Sequence, residues 1–422
     1  MKGIILSSEL TVREEPNSQS KVKFKIKQGK EVEIIEAFDV VKGGTTWYRI
    51  KEGYIAGTYV KLIDNTWEVT PSMTNTQIQD VFNHGGNIII RAGIYRIKKT
   101  IVCKSNSNIT FENHAVFIRC SDQPILTNYY TPYTTRYNGV TNVKIQGGVF
   151  IGNGCKKEGE VIAFFHANDI VFENFKIVDI VKSSAIKIIA CSNITLQNFE
   201  IHSHSINRDA AYQEAIQFNF AEHSQHPRYP KSCSCYDGYH NKDIIIKNGS
   251  IQDYPIAIGM HAQTSTNSTH RNFIISDCCL KGVGKVRKHG TAIRLSNVIN
   301  AVISNNNIQN FDRACEFTTP EYLININGEN VQNIVGHSHG GCKNITFAKN
   351  MILSSNGTSK VSGIYFGSRI KRIQHGRITV ENNKFYLKSN SNSRYTIHSN
   401  GMCDGLSLNN NITDIENSYF IK

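Results

Sequence analysis

Four side chains in one stretch have the types needed to move a proton. Asp209, Glu214, Asp237 and His261 lie between His202 and His261, among apolar runs that recur along the chain. Cleaving a glycosidic bond takes two carboxyl groups flanking it, about 5–5.5 Å apart for retention and about 6.5–9.5 Å for inversion. Asp209 and Glu214 stand just before or at the start of EAIQF, and Asp237 lies in the loop after it, so any two form a candidate acid–base pair. His261 ends IAIGMH, and imidazole is the side chain that changes charge nearest neutral pH. Plainer roles fit the same residues: a turn cap for Asp209, an ion pair with Lys187 or Arg208 for Glu214, an Asp-Gly turn for Asp237, and sugar binding or packing for His261. His202, His204, His223, His226 and His289 are also near, so counting histidines assigns no mechanism. Tyr212, Tyr229, Tyr236 and Tyr239 suit stacking on sugar rings or packing of loops.

The elements that must position these groups are visible as a repeat. NVKIQGGVF (142–150), NDIVFENFKI (168–177), SNITLQNFEI (192–201), KDIIIKNGSI (242–251), RNFIISDCCL (271–280), NAVISNNNI (300–308), KNITFAKNMI (343–352) and GRITVENNKF (376–385) are copies of one unit. Ile170 to Ile194 is 24 residues, Ile244 to Phe273 is 29 and Phe273 to Ala301 is 28. Two short strands joined at a corner cannot bury an apolar face alone, but stacked copies share one core with ladders at about 4.8 Å spacing. The leucine spacing of a horseshoe solenoid is absent. A third strand follows each unit: SAIKI (184–188), EAIQF (214–218), IAIGM (256–260), TAIRL (291–295), RACEF (313–317) and SGIYF (362–366). Strict alternation turns Ile186, Ile216, Ile258, Ile293, Cys315 and Ile364 inward. It turns Ala185, Ala215, Ala257, Ala292, Ala314 and Gly363 outward as a shallow floor, beside Lys187, Gln217, Gly259, Arg294, Glu316 and Tyr365. A further outward column holds Asn219 and His261. Long connections cluster beside these strands, so a groove is expected over the third sheet, with Lys187, Gln217, Asn219, Arg294, Glu316, Tyr212 and Tyr236 as substrate contacts. Arg294 and Glu316 also suit a simple salt bridge, and Arg294 suits a substrate carboxylate or phosphate. Residues 386–422 lose the period and are expected to cap the solenoid.

Composition narrows the classes. Residues 1–65 carry 11 Lys/Arg against 9 Asp/Glu, so nearly all of the net +13 belongs to the rest. A polyanionic ligand or a solvated surface accounts for that excess. No basic stretch is interleaved with aromatics, which argues against nucleic acid. No run nears the ~18 apolar residues of a membrane span. Of eleven cysteines, Cys103, Cys191, Cys278, Cys279 and Cys315 read as small core residues. Cys233 and Cys235 have no second pair at zinc spacing, so neither a metal nor another cofactor is expected. MKGIILSSEL does not read as a signal peptide, and free thiols suit synthesis in a reducing cytosol.

Residues 4–62 alternate apolar and polar in short runs broken by Gly29, Gly43, Gly44, Gly53 and Gly57, the pattern of a small β-barrel. Leu10-Thr11-Val12-Arg13, Lys27-Gln28-Gly29, Trp47-Tyr48-Arg49-Ile50, Gly53-Tyr54-Ile55 and Tyr59-Val60 resemble the bacterial SH3 domain. The resemblance implies binding of cell-wall material, or a spacer role. After DNTWEVTPSMTNT, Asn75 or Thr76 is expected to cap a short helix ending near Asn83. The following GGNIIIRAGIYRIKKTIVCKSNSNITFENHAVF resembles the opening of pectate-lyase-like right-handed parallel β-helices, with residues 75–117 matching in order. The expected all-β division is an SH3-like domain at 1–63, a linker at 64–75, and a three-sheet β-helix with its capping helix at 76–422.

Polygalacturonases on this scaffold carry an Asp pair on a groove strand, where this chain reads IAIGMHA. Calcium-dependent pectate lyases use an acidic cluster that is not found here. What is left resembles tailspike-like depolymerases of phages and prophages. That resemblance implies an endo-acting glycoside hydrolase on a bacterial surface or wall polysaccharide, without nucleic-acid or membrane partners. Trimers are common among such relatives. The chain would act outside the cell or on a virion tail. A lyase acting on a uronic acid polymer and a non-catalytic glycan-binding tail protein are the rival readings.

Overall fold

The computed structural model describes residues 2–39, 46–63, 66–154, 158–180, 182–203, 213–225, 228–260, 268–283, 290–318, 323–326, 329–332, 341–354, 361–367, 375–388, 394–399, 403–415 and 419–421. Eight short strands from Lys2–Ile5 to Val60–Ile63 form two small antiparallel sheets. They close on Ile5, Leu10, Val12, Val32, Ile34, Tyr48, Ile50 and Ile55, all buried. The stretch read as a linker contains a strand, Thr66–Val69, which pairs in parallel with Gly86–Ile90. The helix runs Asn75–His84, and its cap is Thr74, one residue before the expected position. The Thr74 hydroxyl accepts from Gln77 N at 3.3 Å while the Gln77 side chain accepts from Thr74 N at 2.9 Å, a reciprocal capping box.

The rest is a right-handed parallel β-helix with three faces. Gly86–Ile90, Ser107–Phe111, Thr141–Gln146 and Asn168–Glu173 open the first face, and Gly93–Ile97, Ala115–Arg119, Val149–Ile151 and Lys176–Val178 the second. Ser192–His202 and Lys242–Tyr254 run through both without a break. Among the described residues the third face is an eleven-stranded sheet from Ile101–Cys103 to Tyr419–Ile421. Inward Ile, Phe, Leu and Val from all three faces make one continuous core.

Corners fix the register. Asn174, Asn198, Asn248, Asp277, Asn305, Asn382 and Asn410 are left-handed, with φ between 50° and 58°. Asn and Asp tolerate that region best among residues with a Cβ. The next position points inward. It is aromatic early in the chain, where Phe175 and Phe199 stack with centroids 5.3 Å apart. Later it is asparagine. Asn350 Oδ1 accepts from Asn306 N at 2.9 Å, Asn383 Oδ1 from Asn350 N at 2.8 Å, and Asn411 Oδ1 from Asn383 N at 3.0 Å. Their amide nitrogens donate to Ile303, Phe347 and Val380 carbonyls one coil back.

Three expectations are corrected. The period continues past residue 386: Cys403–Asn409 pairs with His375–Glu381, and Arg394–Ser399 pairs with Val361–Gly367. Outward Asp404, Ser407 and Asn409 dilute the apolar signal there. Cys279 is exposed, because Cys279–Gly282 alternates and its inward residue is Leu280. The alanine column is not a floor. Ala185, Ala215, Ala257, Ala292 and Ala314 belong to the core, and a Cβ on Gly363 would lie 2.5 Å from the Phe385 ring. The strand bends there, so two successive residues face inward and only small ones fit.

Burial also tunes the titratable groups. All ten cysteines among the described residues are free, and burial pushes Cys103, Cys191, Cys278 and Cys342 up to about 12. His270 and His375 hold corners by accepting Asn241 N (3.0 Å) and Cys342 N (3.1 Å) at Nδ1. Burial pushes His270 down to about 3 and His375 to about 4. The unfolded histidines take up protons near pH 6.5 while the folded ones stay neutral, so stability falls as pH drops from about 6.5 toward 4, by about 1.4 kcal/mol per pH unit for each. Urea midpoints at pH 7.5, 6 and 5 should show this fall, and His375→Gln should flatten the slope by about one proton's worth. A midpoint unchanged between pH 7.5 and 5 would contradict it.

Candidate functional site

The bend at the alanines decides what the third sheet presents. It puts residues three apart on the same outer face: Glu214 with Gln217, Thr291 with Arg294, and Arg313 with Glu316. The ladder runs Lys187–Gln217–Gly259–Arg294–Glu316–Tyr365–His398, one residue per coil. Expected substrate contacts Lys187, Gln217, Arg294 and Glu316 therefore stand in one file.

Glu214 is fully buried. Its Oε2 accepts from Gln217 Nε2 at 3.2 Å, and Gln217 Oε1 accepts from the Ser184 hydroxyl at 3.3 Å. Its Oε1 lies 3.7 Å from Arg294 Nη1, although Arg294 belongs to a strand two coils away, roughly 10 Å along the stack. Gly259, on the coil between, makes this reach possible. A Cβ there would sit 2.2 Å from Glu214 Cγ, so the carboxyl arm lies in the space a side chain would fill. From the other side, Glu316 Oε2 is 3.6 Å from Arg294 Nε and accepts from Thr291 Oγ1 at 2.9 Å, and Glu316 Oε1 is 3.0 Å from Arg313 Nη1. Burial raises the Glu316 pKa, but Arg313, Arg294 and the Thr291 hydroxyl outweigh it and hold the carboxyl below its ordinary value. Glu316 is thus ionised at neutral pH.

The file extends both ways. Lys187 pairs with Glu160. Arg313 lies over the Tyr365 ring at 3.7 Å, and His398 packs against Tyr365 and Tyr395 with centroids 5.2 and 4.9 Å apart. Sequence reading missed Glu160, Ser184, Thr291 and Arg313. The first stands before IAFF, a third-face strand outside the aligned set, and the other three occupy the position that the bend turns outward.

Other expected residues fall elsewhere. Asp209, Tyr212 and His261 lie outside the described residues. Asp237 builds a turn: its carboxylate accepts from Arg136 N at 2.7 Å and Tyr239 N at 3.0 Å. Tyr236 packs a loop cluster with Tyr130, Phe165 and Cys235, and its hydroxyl accepts from Tyr229 N at 2.9 Å. Asn219 is buried on the third sheet, beside Ile189 in the ladder, away from the Glu214 cluster's hydrogen bonds. Among the described residues no group of three His, Cys, Asp or Glu could hold a metal.

The glycine makes its own test. Gly259→Ala should cost about 1–3 kcal/mol of stability, measured by urea unfolding, because the Glu214 arm must move. In a Glu214→Ala background the same change should cost less than about 0.5 kcal/mol, since the clash is gone. Equal costs in both backgrounds would disprove the steric link.

Comparisons with known proteins bear on the fold. Residues 8–61 match the model of the bacterial SH3 domain family. No curated protein matches the sequence. The surface protein and adhesin PfbA of Streptococcus pneumoniae superimposes with a TM-score of 0.58 at 16% identity, over 85% of this chain and 100% of that one. The tailspike gp61 of Pseudomonas phage phi297 gives 0.50 at 11% identity, over 84% and 76%. The endo-xylogalacturonan hydrolase of Aspergillus tubingensis gives 0.50 at 9% identity, over 83% and 93%. At such identities the likeness speaks for architecture. The chain is an SH3-like domain, matched to the bacterial SH3 family over residues 8–61, followed by a right-handed parallel β-helix.

Proposed function

We propose that this protein is an endo-acting glycoside hydrolase of a bacterial surface or cell-wall polysaccharide, working on the outer face of the third sheet. The observation that carries this reading is the convergence of Glu214 and Glu316 on one guanidinium. With Arg294 between them, their carboxyl oxygens lie no more than about 10 Å apart, an upper bound that includes the separations of both retention and inversion. Glu316, held ionised, takes a proton from an attacking water. A second carboxyl, Glu214 or Asp209, delivers a proton to the glycosidic oxygen as that bond breaks, so the sum of the step is one water added across the linkage. Arg294 orients both carboxyls. Asp209 and His261 remain candidates from the loop and strand that neighbour Glu214 in sequence. The SH3 domain, in this reading, holds the enzyme on wall material outside the cell. The likeness of fold to a tailspike supports a phage or prophage setting.

A second reading is a glycan-binding protein without catalysis. It is favoured by charge pairing: Glu160 faces Lys187, Glu214 faces Arg294, and Glu316 faces Arg313 and Arg294. Size-exclusion profiles of Gram-positive surface polysaccharides after incubation decide between them. Shortened chains without new ultraviolet absorbance are expected. New double-bond absorbance would mean elimination on a uronic acid polymer, and binding without shortening would mean recognition alone. Glu214→Gln and Glu316→Gln should each lower the cleavage rate at least ~100-fold. Melting temperatures must be read alongside, because breaking a buried pair costs roughly 3–5 kcal/mol. Full activity in folded forms of both variants would remove these two residues from the mechanism.

A further inference from the structure

A cleft lies on a different face, between the SH3 domain and the first coils. It encloses about 710 Å³, within the range of small-ligand sites, and domain junctions are where such sites concentrate. Val60 and Leu62 of the SH3 domain give it an apolar floor. Its opposite wall is amide: Asn108 Nδ2 donates to Asn87 Oδ1 at 3.0 Å, and Asn142 Nδ2 to Asn106 Oδ1 at 2.8 Å. Among the described residues no carboxylate lines it, and the one cation that does, Lys144, is tied to Glu173 at 2.7 Å.

The two walls are held in place. Trp67 packs against both hydrophobic cores and stacks on His84 with centroids 4.0 Å apart. The Asn106 amide donates to Thr46 Oγ1 of the SH3 domain at 3.3 Å. A preformed site loses less order on binding.

We propose that this cleft binds an uncharged glycan strand, apart from the proposed cleavage site. Amide groups that both donate and accept match vicinal hydroxyls and acetamido groups, and the apolar floor matches the C–H face of a sugar ring. A nucleic acid or an acidic polymer would call for unpaired cations, and a basic peptide for carboxylates.

Titration calorimetry on the full chain tests this, with uncharged chitin-, cellulose- and amylose-derived oligosaccharides of about four to six sugars as probes, a length that suits a cavity of this size. Asn108 is exposed, so Asn108→Trp can fill the cleft while the strand tolerates an aromatic. At least one probe should bind the wild type, and Asn108→Trp should weaken it at least about tenfold with an unchanged melting temperature. Asn87→Ala should weaken the same probe, and Glu214→Gln, on the other face, should leave it unaffected. The proposal is overturned if no uncharged probe binds, if both cleft variants bind like wild type, or if Glu214→Gln alone abolishes binding.

Discussion

A coil in a parallel stack cannot satisfy its own backbone. Every N–H and C=O of its strands must find a partner on the coil above or below, so the register of one coil dictates the next. The corners transmit that demand. Left-handed Asn and Asp turn the chain at fixed points, and the inward amides of Asn306, Asn350, Asn383 and the half-buried Asn411 pass hydrogen bonds from coil to coil. Outward side chains are thereby placed on a grid about 4.8 Å apart. The Glu214–Arg294 contact departs from that grid, and Gly259 is the vacancy that permits it. Chemistry on this scaffold therefore depends as much on which coil lacks a side chain as on which coil supplies an acid.

Much of this architecture was legible. The inward columns, the third strand of each unit and the SH3-like barrel follow from alternation and turn residues. The file from Lys187 to Tyr365 was also predicted by aligning six short strands. What alternation could not show was the bend at Ala215, Ala292 and Ala314, because a run of small residues reads equally as floor or as corner. Placing them outside hid Thr291 and Arg313, the partners that hold Glu316 ionised. Asp237 was ambiguous for a different reason. A carboxylate before glycine has the same sequence signature whether it meets a substrate or two backbone amides. The last coil was missed because its strands keep the geometry after losing the apolar residues that advertise it.

The two proposed glycan sites divide the labour by face. The outer face of the third sheet holds a dense, charge-matched file that buries its carboxyls, suited to acting on one bond. The cleft beneath the SH3 domain is amide-lined, and its one cation among the described residues is paired to Glu173, which suits it to holding a neutral strand. The strand Thr66–Val69 joins the two ends of this arrangement, since it starts the β-helix where the small domain stops.

The buried thiols have a consequence for how the chain survives. Disulfide exchange runs through the thiolate, and a thiol near 12 is almost wholly protonated at neutral pH. Cys103, Cys191, Cys278 and Cys342 are therefore spectators in any redox buffer while the coil stack is closed. Oxidants meet a reactive sulfur there only when a coil opens. Thiol labelling of these positions would thus count opening events, and the solenoid carries its own clock for local unfolding.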